Sequence, residues 1–134
     1  MEKAFKDHIK SDFPNLVNAK LILAVSGGVD SMVLMRLCKK VKLDFAIAHC
    51  NFNLRDNESD GDEEFVVRAA QNLELKVHIQ HFNTISFAEE HKLSIQMAAR
   101  ELRYHWFEEL RIAENADYIL VAHHANDSLE TFLI

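Results

Sequence analysis

Short apolar runs alternate along the chain with longer segments in which apolar residues return every three or four positions. Glu2 to Ser11 reads as a short helix with Phe5 and Ile9 on one face, broken by Pro14. Leu21-Ile22-Leu23-Ala24-Val25 is a run of strand length that stops at a glycine pair. Asp30 to Lys40 has helical spacing, with Val33, Leu34, Leu37 and Cys38 on one face, and Leu43 to Ala48 is a second strand. Asn51 to Ser59 is polar and reads as a loop. Asp60 to Asn72 reads as a helix whose first-turn acids sit at the positive end of its dipole. Leu75 to His81 alternates apolar and polar residues, as a strand near an edge or with one wet face does. Ser94 to Ala113 is the longest helix, with Ile95, Ala99, Leu102, Trp106 and Leu110 as its predicted buried stripe. Tyr118 to Ala122 is a fourth strand, and a further helix is predicted to begin at Asp127.

Short apolar strands alternating with helices predict an α/β fold, a parallel sheet with helices on both faces. Ligands in such sheets bind at the carboxyl ends of the strands. That rule selects three segments: Ser26 to Ser31, His49 to Arg55, and His123 to Glu130. The apolar pattern from Leu129 to Ile134 runs on without a helix stop signal. The expectation is therefore an N-terminal domain over residues 1–134, truncated, with further domains beyond it.

Composition narrows this picture. The 134 residues are 49% apolar, enough for a packed core. No apolar run approaches the roughly 18 residues of a membrane span, and the N-terminus lacks the apolar stretch of a secretion signal. Cys38 and Cys50 are not spaced as a C-x-x-C pair and read as ordinary reduced thiols, so a cytoplasmic location is expected. With 15 basic and 21 acidic residues the net charge is −6, which argues against a dedicated nucleic-acid module.

The chemistry concentrates in Ser26-Gly27-Gly28-Val29-Asp30-Ser31. Paired glycines let the backbone approach an anion closely, and the following helix offers free N–H groups and a partial positive charge. The hydroxyls of Ser26 and Ser31 add donors. The segment lacks the lysine of a Walker A loop and the spacing of G-x-G-x-x-G. Asp30 would repel bare phosphate, but it fits beside a Mg²⁺ ion bridging carboxylate and phosphate. S-G-G-V-D-S resembles the PP-loop of the ATP pyrophosphatases, enzymes that hold the pyrophosphate part of ATP and transfer AMP.

Three further blocks follow in order: His49-Cys50-Asn51-Phe52-Asn53-Leu54-Arg55; Ala98-Ala99-Arg100-Glu101-Leu102-Arg103-Tyr104; and His123-His124-Ala125-Asn126-Asp127-Ser128-Leu129-Glu130-Thr131. Together with the loop they resemble the tRNA(Ile)-lysidine synthetase family from about Lys20 onward. That resemblance implies ATP-dependent attachment of L-lysine to C2 of the wobble cytidine of an isoleucine tRNA with a CAU anticodon, through an adenylated tRNA. It implies that Ser26, Gly27, Gly28, Val29, Asp30, Ser31 and His49 bind ATP. It also implies that Arg103 neutralises charge at the α-phosphate, that Asp127 joins Asp30 in binding Mg²⁺ or orients the reacting groups, and that Glu130 meets the lysine amine one helical turn from Asp127. Two departures stand out. Asn126 replaces a carboxylate of the usual H-H-x-D-D-Q, and Phe52-Asn53 interrupts the usual histidine-rich segment.

Plainer readings accompany these. His49 is also read as filling space beside the nucleotide, and Arg100 and Arg103 as a solvated helix face. His123 and His124 point to opposite sides of an extended segment and do not share a metal. Asp60, Asp62, Glu63 and Glu64 read as helix-start charges. The alternative functions are another AMP-transferring PP-loop enzyme, such as a tRNA thiolase, and a non-catalytic ATP-binding module. The acidic balance puts the tRNA grip beyond Ile134.

Overall fold

The computed structural model describes residues 2–54, 56–123 and 128–132. In chain order the elements are α1 (Glu2–Asp12), a 3₁₀ turn (Pro14–Leu16), β1 (Lys20–Ala24), α2 (Val29–Lys40), β2 (Asp44–Asn51), α3 (Asp56–Asn72), β3 (Val77–His81), α4 (Thr84–His91), α5 (Ile95–Ala113), β4 (Tyr118–His123) and β5 (Ser128–Phe132). The sheet runs β3-β2-β1-β4-β5. Its first four strands are parallel, with Leu23 paired to Ile47 on one side and to Leu120 on the other. β5 pairs antiparallel to β4.

Alternation along the strands builds two cores. Leu21, Leu23, Phe45, Ile47 and Leu120 face one side, where Ile9 of α1, Met32, Met35 and Cys38 of α2, and Val66 and Ala70 of α3 cover them. Ile22, Ala48 and Ile119 face the other side, against Phe107 of α5. Helices therefore cover both faces, as the alternation of runs predicted, and β3 is the predicted edge strand. Just before β3, Lys76 Nζ sits 3.0 Å from Glu114 Oε1. That hydrogen bond is the main reason the partly buried Glu114 carboxyl lies below its ordinary value. Among the described residues no helix is long and apolar enough to cross a membrane.

Several sequence-based boundaries are corrected. α3 begins at Asp56, inside the segment read as a loop, so Asp60 to Glu64 lie past its first turn. The N-terminal part of α3 shows no apolar repeat, and that is why it reads as a loop. α2 buries Met32, Leu34, Met35 and Cys38, with Val33 and Leu37 only partly covered. On α5 the deeply buried residues are Ala98 and Phe107, while Ile95 is 39% exposed. The short α4 was not anticipated. It is capped by the Asn83 side chain, which accepts from Ser86 N.

The helix predicted from Asp127 is also corrected. Residues 128–132 form β5, and Asp127 itself lies outside the described residues. Pairing with β4 instead satisfies the backbone groups along an otherwise open sheet edge.

Candidate nucleotide site

The strand order reverses between β1 and β4, and the crevice at their carboxyl ends is where such sheets bind ligands. A cleft of about 330 Å³ opens there. Ala24, Val25, Ser26 and Ser31 contribute from β1 and the loop after it. His49, Cys50, Asn51, Phe52 and Leu54 come from the end of β2 and beyond, and Ser59 and Asp62 from α3. Arg103 and Phe107 of α5 and Val121 of β4 complete the wall.

The loop is braced from within. Ser31 Oγ donates to Gly28 O (3.0 Å) and accepts from Ser26 N (3.2 Å), while Ser26 Oγ accepts from Gly28 N (3.2 Å) and lies 3.2 Å from Ser31 Oγ. Ser31 is buried, and both hydroxyls are engaged in holding the turn. The groups the loop turns toward an anion are therefore main-chain N–H groups. Gly28 is the N-cap of α2 and supplies no side-chain cap, so the first-turn amides keep their donor capacity.

Gly27 has φ +96°, in the region L side chains rarely adopt. A Cβ there would come within 3.3 Å of Asp62 Cβ. Glycine at 27 is thus required both by backbone conformation and by the approach of α3. Val29 is 78% exposed at the start of α2, and Asp30 follows it, half-buried in the first turn.

His49 is almost fully buried, and its Nδ1 lies 2.7 Å from Val25 O. A carbonyl can only accept, so Nδ1 carries the proton and Nε2 is left as an acceptor. Nε2 has no hydrogen-bond partner among the described residues. The ring thereby ties the end of β2 to the residue preceding the phosphate loop.

The next buried polar residue on the same side, Asn51, was not singled out from sequence. Its Nδ2 donates to Asp60 Oδ1 (3.0 Å) and Glu63 Oε1 (3.2 Å), and its Oδ1 accepts from Asn53 N (3.0 Å). Glu63 also contacts His81 Nε2. Asp60 and Glu63 therefore anchor α3 to β2, which corrects their reading as helix-start charges. Between them Asp62 faces the cleft. Only Glu64, paired with Arg68 on the surface, remains a plain solvated charge.

On the opposite wall Arg103 is half-buried, and its Nε has no partner among the described residues. Cys50 lies nearby. Burial pushes its thiol up to about 12, and the Arg103 charge pulls it back in part. Burial likewise pushes Cys38 up to about 12. Both thiols stay protonated at neutral pH and are poor nucleophiles, as the reading of ordinary reduced thiols expected.

The structure thus brings Ser26, Ser31, His49 and Arg103 around one cleft, with Asp30 on the loop's helix. Arg55, His124, Ala125, Asn126 and Asp127 lie outside the described residues. Glu130 is in β5, where its backbone pairs with Val121 of the cleft wall, so its predicted place one helical turn from Asp127 does not hold. Among the described residues no three His, Cys, Asp or Glu side chains gather as a metal cage. A Mg²⁺ ion shared with phosphates needs only one or two carboxylates, a requirement that Asp30 and Asp62 meet in kind.

Comparison with known proteins settles the family. A sequence model of the PP-loop domain matches residues 1–134. The chain belongs to the PP-loop domain family. Within curated proteins it is similar to the tRNA(Ile)-lysidine synthase of Bacteroides thetaiotaomicron, at 45% identity over 94% of this chain and 30% of that protein. It is also similar to that of Parabacteroides distasonis, at 46% identity over 85% of this chain and 26% of the relative. The chain spans well under half the length of these relatives. Among solved structures it resembles NMN synthetase from Francisella tularensis (TM-score 0.67, 15% identity, 90% of this chain and 51% of that one). NH3-dependent NAD synthetase from Campylobacter jejuni is similar at TM-score 0.62 and 18% identity, over 90% of this chain and 51% of that one. These two likenesses concern the PP-loop fold alone.

Proposed function

We propose that this PP-loop chain is the ATP-binding, AMP-transferring part of an enzyme that attaches L-lysine to C2 of the wobble cytidine of an isoleucine tRNA with a CAU anticodon. The observation that carries the reading is the pairing of an N–H-lined loop at Ser26–Ser31 with Arg103 across one cleft. The similarity to curated tRNA(Ile)-lysidine synthases supplies the substrate class. In the first step the C2 oxygen attacks the α-phosphorus and pyrophosphate leaves. In the second the lysine ε-amine attacks C2, and AMP departs with that oxygen.

The roles of the loop amides, His49 and Arg103 follow from position, and those of Asp127 and Glu130 from the resemblance to the lysidine-forming family. The loop amides not used in its internal bracing, those of Gly27, Val29, Asp30 and Ser31, hold the pyrophosphate portion, and Arg103 meets the charge that builds on the α-phosphate. His49 fixes the loop's base beside the nucleotide. Asp30, with Asp127, would hold Mg²⁺, which when bound offsets phosphate charge. Asp30→Ala is expected to erase the difference in ATP affinity between Mg²⁺ and EDTA. Calorimetry in which the variant keeps that difference would remove Asp30 from the metal site. Glu130 is assigned to the cationic lysine amine.

A tRNA thiolase built on these cysteines is disfavoured, since Cys38 and Cys50 are not a C-x-x-C pair and Cys38 is buried in the core away from the cleft. An acidic chain of net charge −6 is a poor tRNA grip, so that grip is assigned to segments matching the rest of the relatives' length. We assign the reaction, with its tRNA substrate, to the cytoplasm. The test is incorporation of labelled lysine by the full-length protein. Incorporation is expected with the CAU tRNA and ATP, and none with a tRNA carrying uridine at the wobble position. Equal labelling of both would refute the cytidine assignment.

A further inference from the structure

We propose that Tyr104 is a positioning residue for the adenylation step, its ring acting as the platform that holds the Arg103 guanidinium in the cleft. The inference rests on the α-phosphate role given to Arg103 above.

Arg103 presents a physical problem. Its side chain has many rotamers, and a cation meant for phosphate cannot be held by a carboxylate without losing its charge to that partner. Among the described residues Arg103 makes no hydrogen bond or ion pair, and its Nε is buried without a partner. What it does have is an aromatic face. Arg103 Cζ lies 5.1 Å from the centroid of the Tyr104 ring, within reach of a cation–π contact. A ring restrains a guanidinium through its plane while leaving the N–H edges available for a phosphate.

The platform is itself held. Tyr104 is half-buried and packs against the core of Ile22, Ala48, Phe107 and Ile119 under the α5 side of the sheet. Those residues belong to β1, β2, α5 and β4, three of them strands whose ends form the cleft. The ring is therefore referenced to the same strands as the phosphate loop. Arg100 Cζ lies 5.1 Å from the same centroid. An exposed second cation on the ring makes the A-R-E-L-R-Y segment one cation–ring cluster, with Arg103 lining the cleft and Arg100 exposed to solvent. This accounts for Arg100 without giving it a ligand.

The experiment uses the full-length protein and reads tRNA-dependent pyrophosphate release. Tyr104→Leu removes the ring face and is expected to lower kcat by about 10- to 100-fold, the scale of a misplacement near 1 Å, with KM for ATP little changed. Tyr104→Phe keeps the face and is expected to restore the wild-type kcat. Tyr104→Leu added to Arg103→Ala is expected to cause no further loss. A Tyr104→Phe enzyme as slow as Tyr104→Leu would overturn the proposal, because the hydroxyl rather than the ring would then matter. A further drop in the double variant, or a Tyr104→Leu loss confined to KM, would overturn it as well, since a merely structural role gives that pattern. If Arg103→Ala alone releases pyrophosphate at the wild-type rate, the underlying Arg103 reading fails. If Arg103→Ala is slow and Tyr104→Leu is not, only the Tyr104 proposal fails.

Discussion

Replacing Arg103 by lysine in the full-length protein is expected to slow pyrophosphate release by about 10²–10³-fold, the usual cost of losing one pre-aimed donor to developing charge. ATP affinity should change much less, because the loop amides hold the pyrophosphate portion and do not involve Arg103. Lysine keeps the charge but not the planar fork, and an ammonium cannot stack on the Tyr104 ring as a guanidinium does. It would also be strongly hydrated in a half-buried place where Arg103 Nε already lacks a partner. Rapid-quench measurement of the adenylation step separates this from slow tRNA binding. An Arg103→Lys enzyme with a wild-type adenylation rate would show that charge alone suffices there.

Gly27→Ala is expected to abolish measurable ATP binding while leaving the fold in place. At φ +96° a β-carbon costs roughly 1–2 kcal/mol in local strain. The same Cβ would press within 3.3 Å of Asp62 Cβ, and Asp62 sits on a helix pinned to β2 through Asn51, Asp60 and Glu63. Since α3 is anchored, the relief comes from the loop. A loop that shifts breaks the Ser26–Ser31 bracing and redirects the amides that would face phosphate. Thermal unfolding should stay cooperative with a midpoint lower by several degrees, about what that strain implies, and calorimetry with Mg·ATP should show no saturable heat. Wild-type affinity in Gly27→Ala would mean that Asp62 yields and that the loop does not depend on glycine there.

The alternation of apolar residues was enough to find the four parallel strands, because each lies between helices and carries a strong local signal. Leu23, with β-strand neighbours on both sides, is the clearest case. The strand-end rule then found Ser26–Ser31 and His49, which sit at the close of such strands. What escaped is what depends on distance across the fold. Nothing local marks Asp62 as a cleft residue; only the register of α3, set by Asn51, turns it toward Gly27. The first turns of α3, Asp56-Asn57-Glu58-Ser59-Asp60, carry no apolar repeat to read. β5 was misread because Leu129, Phe132 and Leu133 fit helical spacing as well as strand spacing over so short a run. The phase of α5 slipped because apolar residues surround much of its circumference, Ile95 and Met97 included, and both are exposed.

The proposed reaction splits ATP between its α- and β-phosphates and passes AMP to the tRNA. The most direct measurement is to incubate the full-length protein with the CAU isoleucine tRNA and ATP labelled at either the α- or the γ-phosphate, with lysine withheld. The expected result is α-label on the tRNA, release of pyrophosphate in matching amount, and loss of the label as AMP when lysine is added. Label transferred from the γ-phosphate, or ADP as the nucleotide product, would contradict it.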